Sequence, residues 1–372
     1  MRILYIANIR FPTERAHGIQ IAKMCEAFAS LGNEVTLLIP ARFNHIKENS
    51  FEYYDIQRNF TITKLPCVDL VRFGKLGFWI ELASFSMLAF FYALLTRFDI
   101  IYTRDEIIAW VLNIKGNVAW EAHMGQRNFF VKAIMESSMP VIVISNGLKS
   151  LYEDLGVNQK RILVAPDGVD LKKFVMPINR KECRKRFGLP EATIIMYTGH
   201  LYDWKGVDTL AEAVQLLGEN VIGVFVGGTE IDIANFKNKY EKSTNIMVLG
   251  HKPSGLIPYY IRVADVLVVP NSGKVEISRN ITSPLKLFEY MASGVPIVSS
   301  DIPSLREILD EDSAFFAIAD NHQSFAEVIE RVISNPVRAK EKARNAKDNA
   351  SKYSWNLRAE KIIEFVKHAY PL

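Results

Sequence analysis

Short apolar runs alternate with helix-period segments along all 372 residues. In the first half the runs are 3–7 (ILYIA), 35–40 (VTLLIP), 60–65 (FTITKL), 99–103 (DIIYT), 118–122 (VAWEA), 141–145 (VIVIS) and 161–166 (RILVAP). The second half continues with 193–199, 221–228, 245–250, 264–270, 294–300 and 313–319. β-branched residues dominate these runs, and most lack strict alternation, as parallel strands covered on both faces do. Between them lie stretches such as 18–32 (GIQIAKMCEAFASLG) and 206–218 (GVDTLAEAVQLLG), helical in period and closed by glycine. The pattern predicts an α/β protein of two doubly wound domains in tandem. Turn residues and a basic run interrupt it at 166–190, so the N-terminal domain is placed at 1–172 and the C-terminal domain at 173–354. The helical segment 355–372 is expected to pack back on the first. In such folds ligands bind outside the carboxyl ends of the strands, and two facing domains would form a cleft suited to two substrates.

One segment departs from the pattern: LGFWIELASFSMLAFFYALLTRF, residues 76–98. It approaches the length of a membrane span, but Glu81 and several small or polar residues interrupt it. Two readings stay open. The helix is buried in the N-terminal domain, or it lies on a membrane surface. In the second case Phe78, Trp79, Phe85, Phe90, Phe91 and Tyr92 sit at the interface, and Arg72, Lys75 and Arg97 meet anionic headgroups.

The stretch 281–300 (ITSPLKLFEYMASGVPIVSS) is punctuated at both ends. Ser283 is placed as N-cap and Pro284 as the first helical residue, while Gly294 and Pro296 stop the helix. Leu285, Phe288 and Ala292 fall on one apolar face; Lys286, Glu289 and Tyr290 share the other. A helix N-terminus with a cation and a carboxylate beside it suits a phosphorylated ribose. The plainer reading is a surface ion pair.

Composition narrows the classes. Hydrophobic residues make up 49% and charged residues 23%, which is ordinary for a globular chain. The net charge is +4, and residues 1–170 balance 18 Lys/Arg against 17 Asp/Glu, so no basic lobe points to nucleic acid. Cys25, Cys67 and Cys183 are scattered without metal-ligand spacing, which suits a reducing compartment. A strand begins at once in MRILYIA, so no signal peptide is expected. These features place the chain in the cytoplasm, with 76–98 allowing attachment to the inner face of a membrane.

The loops that follow strands hold the candidate chemistry. After the first run comes NIRFPTERAHGIQ, which lacks GxGxxG but brings Gly18 to the mouth of a helix, where backbone can approach an anion. His123 follows VAWEA, at a position to donate to or accept from a substrate hydroxyl. His200 and the pair Lys205-Gly206 lie in one loop ahead of a helix and resemble a phosphate cradle. Each residue alone fits an ordinary structural or solvated role.

Taken together, PDGVD (166–170), YTGHLYDWKGVDTL (197–210), VGG (226–228), the turn and strand of 249–271 and SPLKLFEYMASGVPIVSSDIPSLREI (283–308) resemble family 4 of the retaining glycosyltransferases. The resemblance extends over nearly the whole chain. It implies the GT-B fold of two Rossmann-like domains, with the acceptor on the N-terminal domain and a nucleotide-sugar donor on the C-terminal domain. The donor is expected to be a UDP-sugar, with a GDP-sugar as the other option. By the same resemblance Lys205 neutralises the donor diphosphate, Glu289 binds the ribose hydroxyls, His123 lies beside the transferred sugar, and Gly18 admits the phosphate. His251 and Lys252 approach the base, and Ser283, Pro284, Leu285 and Lys286 line the donor site. Two positions depart from the family. Ile281 stands where its first conserved-motif glutamate belongs, leaving Glu276 as a substitute, and His200 stands where arginine is common. The implied reaction is glycosyl transfer to a glycan or lipid-linked acceptor, without metal or other cofactor, in cell-surface polysaccharide or glycoconjugate synthesis. The alternatives are a GT-B sugar-nucleotide epimerase and a non-catalytic sugar-nucleotide-binding scaffold.

Overall fold

The computed structural model describes residues 1–175 and 179–370. Residues 176–178 of the expected boundary stretch and the last two of the expected 355–372 helix lie outside the described residues. Every apolar run noted in the sequence forms a strand. In the first half these are β1 (Arg2–Ile6), β2 (Glu34–Pro40), β3 (Thr61–Leu65), β4 (Ile100–Thr103), β5 (Val118–Ala122), β6 (Val141–Val143) and β7 (Ile162–Val164). The second half supplies β8 (Thr193–Thr198), β9 (Val221–Val226), β10 (Ile246–Gly250), β11 (Val266–Val269), β12 (Ile297–Ser300) and β13 (Phe315–Ala317).

The strands form two sheets, ordered β3-β2-β1-β4-β5-β6-β7 and β10-β9-β8-β11-β12-β13. Pairing is parallel, with Ile3 opposite Val35 and Ile100, and Ile195 opposite Gly223 and Val266. β4, β5, β11 and β12 are buried at every residue, whereas the edge strands β3 and β10 are only partly covered. Continuous apolar sequence in the central strands follows from burial on both faces. Strand order reverses between β1 and β4 and between β8 and β11. Those reversals open the crevices at the carboxyl edge where α/β folds take ligands.

The chain divides into two compact units, Met1–Pro166 with the residues from Trp355 onward, and the span Asp167–Ser354. Residues 167–172, assigned from the sequence to the first domain, pack with the second. The Asp167 N–H donates to the Ser283 hydroxyl at 3.1 Å, and Val169 pairs with Ser354.

In the first unit the helix Lys75–Leu95 buries Gly77, Glu81, Leu82, Phe85, Ser86, Ala89 and Ala93 along one side. Leu76, Trp79, Met87, Phe91 and Leu95 are exposed on the others, so the wholly buried reading does not hold. Glu81 is fully buried; its Oε2 accepts from the Asn8 amide at 3.2 Å, its Oε1 has no hydrogen-bond partner among the described residues, and burial raises its carboxyl above the usual range.

Candidate active site

The second unit brings Lys205, Lys286 and Glu289 to the carboxyl edge of β8 and β11. The helix Leu285–Ser293 ends as the sequence implies, with Gly294 left-handed at φ 69°. Its start differs. Pro284 takes the N-cap position, and no side chain caps the first turn, because Ser283 is engaged by Asp167 instead. The two-faced reading of this helix also fails. Leu287, Phe288, Tyr290 and Met291 are all fully buried, and Lys286 is 8% exposed. Tyr290 points inward because its hydroxyl accepts the Thr198 N–H at 2.7 Å, tying the helix to the end of β8.

Lys286 carries its ammonium over the Tyr197 ring, 3.4 Å from the centroid, and its Nζ has no hydrogen-bond partner among the described residues. A Cβ at Gly199 would lie 3.0 Å from that Nζ, and the turn after β8 has φ 125° there, which favours glycine. Lys205 closes the turn Asp203–Lys205 with its Nζ 3.8 Å from the Trp204 ring centroid. Gly206, at φ 69°, follows it. A side chain there would meet the Pro270 carbonyl at 1.8 Å, so glycine lets this turn pack against the end of β11.

The electrostatics follow from burial. It pushes the Lys205 ammonium down to about 7 and the Glu289 carboxyl up to about 7, the latter opposed by Lys173 and Lys286. Lys286 is held well below the ordinary lysine range by burial, then by the charge of Lys205, with Glu289 pulling the other way. Two ammonium groups and a carboxylate are thus held where their charged forms are costly. An anion between the lysines would supply the compensating charge.

Neighbouring loops frame the cluster. His200 stacks on Tyr202 at 4.9 Å, and Tyr202 on Trp204 at 6.4 Å, an aromatic series the sequence reading did not single out. Gly199 N–H donates to Val226 and Gly227 N–H to Gly250, holding the loops after β8, β9 and β10 side by side. His251 is exposed in the last of these, and the Lys252 ammonium lies 6.0 Å from the Tyr260 ring centroid. Ile281 ends a π-helical turn (Ile277–Ile281) and is 5% exposed, so this position belongs to the core. Glu276 lies exposed just ahead of that turn.

In the first unit, Gly18 sits inside the helix Ala16–Ser30, and its N–H already donates to Arg15. A Cβ there would meet the Tyr54 hydroxyl at 2.2 Å, so close packing requires the glycine and its amide is not offered to an anion. His123 follows β5, its side chain 16% exposed and its Nε2 2.7 Å from Glu121 Oε1. Glu121 is fully buried and also accepts from Arg358, Gln20 and Tyr102, while Arg104 donates to Gln20. Burial, then Arg104, holds the His123 imidazolium down to about 4. The one available signal for this network was a glutamate in the middle of a buried strand.

Residues 179–353, just under half the chain, match the family described as "Glycosyl transferases group 1". The D-inositol 3-phosphate glycosyltransferase of Xylanimonas cellulosilytica is 28% identical over 229 residues, covering 58% of this chain and 53% of that one. The putative teichuronic acid biosynthesis glycosyltransferase TuaC of Bacillus subtilis is 26% identical over 229 residues, covering 60% and 55%. The chain spans about half the length of the curated relatives it matches. Among solved structures, sucrose-phosphate synthase from Thermosynechococcus elongatus superposes with a TM-score of 0.80 at 19% identity, over 100% of this chain and 99% of that one. Anabaena HepE in complex with UDP and glucose gives 0.75 at 15% identity, over 98% and 99%. The glycosyltransferase WaaG gives 0.73 at 15% identity, over 98% and 99%. The fold is therefore GT-B, two Rossmann-like α/β domains.

Proposed function

We propose that the protein is a retaining glycosyltransferase that moves a sugar from a nucleotide-diphosphate sugar, preferentially a UDP-sugar, to a hydroxyl acceptor. The observation that carries this reading is the cluster of buried Lys286 with half-buried Lys205 and Glu289 at the carboxyl edge of the second unit. It lies within the region that matches the glycosyl transferases group 1 family. The two ammonium groups suit a diphosphate, and Glu289 suits the ribose hydroxyls. The HepE structures hold UDP and UDP-glucose, which supports the donor class. Retention rests on the family resemblance in the sequence. The lysines supply the charge that a metal ion would otherwise bring, so the transfer is metal-independent in this reading. Glu289→Ala is expected to weaken UDP-sugar binding by about 1.5–3 kcal/mol, as hydrogen bonds to a charged group do. Unchanged affinity in a calorimetric titration would refute the assignment.

The acceptor in this reading is lipid-linked and met at the cytoplasmic face of a membrane, in cell-surface glycan synthesis. Exposed Leu76, Trp79, Met87, Phe91 and Leu95 on the helix Lys75–Leu95 support it, as do exposed Arg72, Lys75 and Arg97 at the helix ends. The protein should float with anionic liposomes at low salt, and release should follow screening over roughly 10 Å at 0.1 M salt. Changing Arg72 and Lys75 to Glu should weaken the association. A parent protein that stays in the soluble fraction at low salt would leave a soluble acceptor as the reading.

A further inference from the structure

The Glu121 carboxyl, though buried, is held well below the usual carboxylate range by the Arg358 guanidinium. Its Oε1 accepts from Arg358 Nη2 at 2.6 Å, from Gln20 Nε2 at 2.8 Å and faces His123 Nε2 at 2.7 Å, while its Oε2 accepts from the Tyr102 hydroxyl. A carboxylate satisfied in this way is ionised and can only accept. The imidazole nitrogen that faces it must therefore be the donor. This holds whichever ring nitrogen is turned inward. A neutral imidazole has one N–H, so the outward nitrogen, Nδ1 in this structure, keeps its lone pair.

The surroundings keep the ring neutral. Burial, then Arg104 and Arg358, disfavour the imidazolium, and only Glu121 favours it. His17, also near, is itself held down to about 4 by burial and by Arg104. The His123 side chain retains enough exposure to meet a ligand.

We propose that Glu121 is a positioning residue that makes His123 an obligate hydrogen-bond acceptor, so that the ligand group it meets is a hydroxyl donating its own proton. A phosphate or carboxylate oxygen would face a lone pair and be rejected. The hydroxyl belongs to a sugar if the glycosyl-transfer reading above holds; the assignment of the nitrogens does not depend on it.

The full chain labelled with 15N-histidine provides the test, through two-bond 15N–1H correlations of the imidazoles at pH 7. His123 should show a protonated Nε2 and a pyridine-like Nδ1 with no ligand present. An imidazolium, or both neutral tautomers together, would overturn the proposal. In Glu121→Gln the pattern should persist, because the amide oxygen can take the three inward donors while its nitrogen faces the Tyr102 hydroxyl. Glu121→Leu combined with Arg358→Met removes the acceptor without stranding a charge. That variant should show both tautomers and at least tenfold lower kcat, with the donor KM within about twofold. A single unchanged tautomer in it would show that Glu121 does not set the ring. If UDP-sugars fail to bind while the nitrogens behave as stated, the donor reading falls and the role of Glu121 stands.

Discussion

Lys205→Ala is expected to lower turnover at saturating donor by at least a hundredfold, about 3 kcal/mol of transition-state stabilisation. In the proposed reaction negative charge grows on the departing diphosphate as the glycosyl bond breaks. Burial concentrates the effect of a cation placed there, because little water screens it. The same burial makes the effect depend on pH. In the empty site the Lys205 ammonium is down to about 7 and the Glu289 carboxyl up to about 7. Above that pH Lys205 loses the charge that attracts phosphate; below it Glu289 takes up a proton and becomes a poorer acceptor for ribose. Donor affinity should therefore pass through a maximum near pH 7. Lys205→Ala should weaken the alkaline limb, leaving what Lys286 contributes, and Glu289→Gln should remove the acid one. Near-normal turnover in the lysine variant would sink the role, and a pH-independent affinity in the parent would sink the electrostatic account.

The second large effect concerns stability. Arg358 is 3% exposed and donates to Glu121, to the Ala165 and Pro166 carbonyls and to Met24 Sδ. Arg358→Met leaves the Glu121 carboxylate buried without its counter-charge, a loss of about 3–5 kcal/mol. For a unit of this size that lowers the melting temperature by roughly 10 °C. Most of the loss is the stranded charge rather than lost packing. Adding Glu121→Gln should therefore restore part of the stability. A double variant no more stable than the single one would show that the pair is not coupled in this way.

The strands were legible from end to end because burial on both sheet faces leaves a local signature, an apolar run bounded by turn residues. The helix Leu285–Ser293 was legible in extent but not in environment. Lys286 and Tyr290 stand at positions that would face water in an amphipathic helix, and helical period alone cannot separate a polar face from a buried polar one. What buries them is the Thr198 amide and the Tyr197 ring, supplied by β8 nearly a hundred residues earlier. Gly18 was noted for its smallness, yet the reason for it is Tyr54, which no local pattern connects to it. The partners of His123 were equally hidden. Glu121 looked like an irregularity in a strand, and Arg358 lies 237 residues away from it. The candidates brought together at the second unit's edge, Lys205, Lys286 and Glu289, were those whose loops carried a recognisable turn or helix start.

The return of Arg358 to Glu121 also orders events during synthesis. The first unit is discontinuous, and the guanidinium that pairs with its buried carboxylate lies in the segment that follows the second unit. At about 5–20 residues per second the ribosome needs roughly 10–50 s to go from one partner to the other. Throughout that interval Glu121 lacks the guanidinium that Arg358→Met would remove permanently. The second unit, continuous in sequence, is complete before the first can close. The first unit is therefore closed by a segment made after the whole of the second.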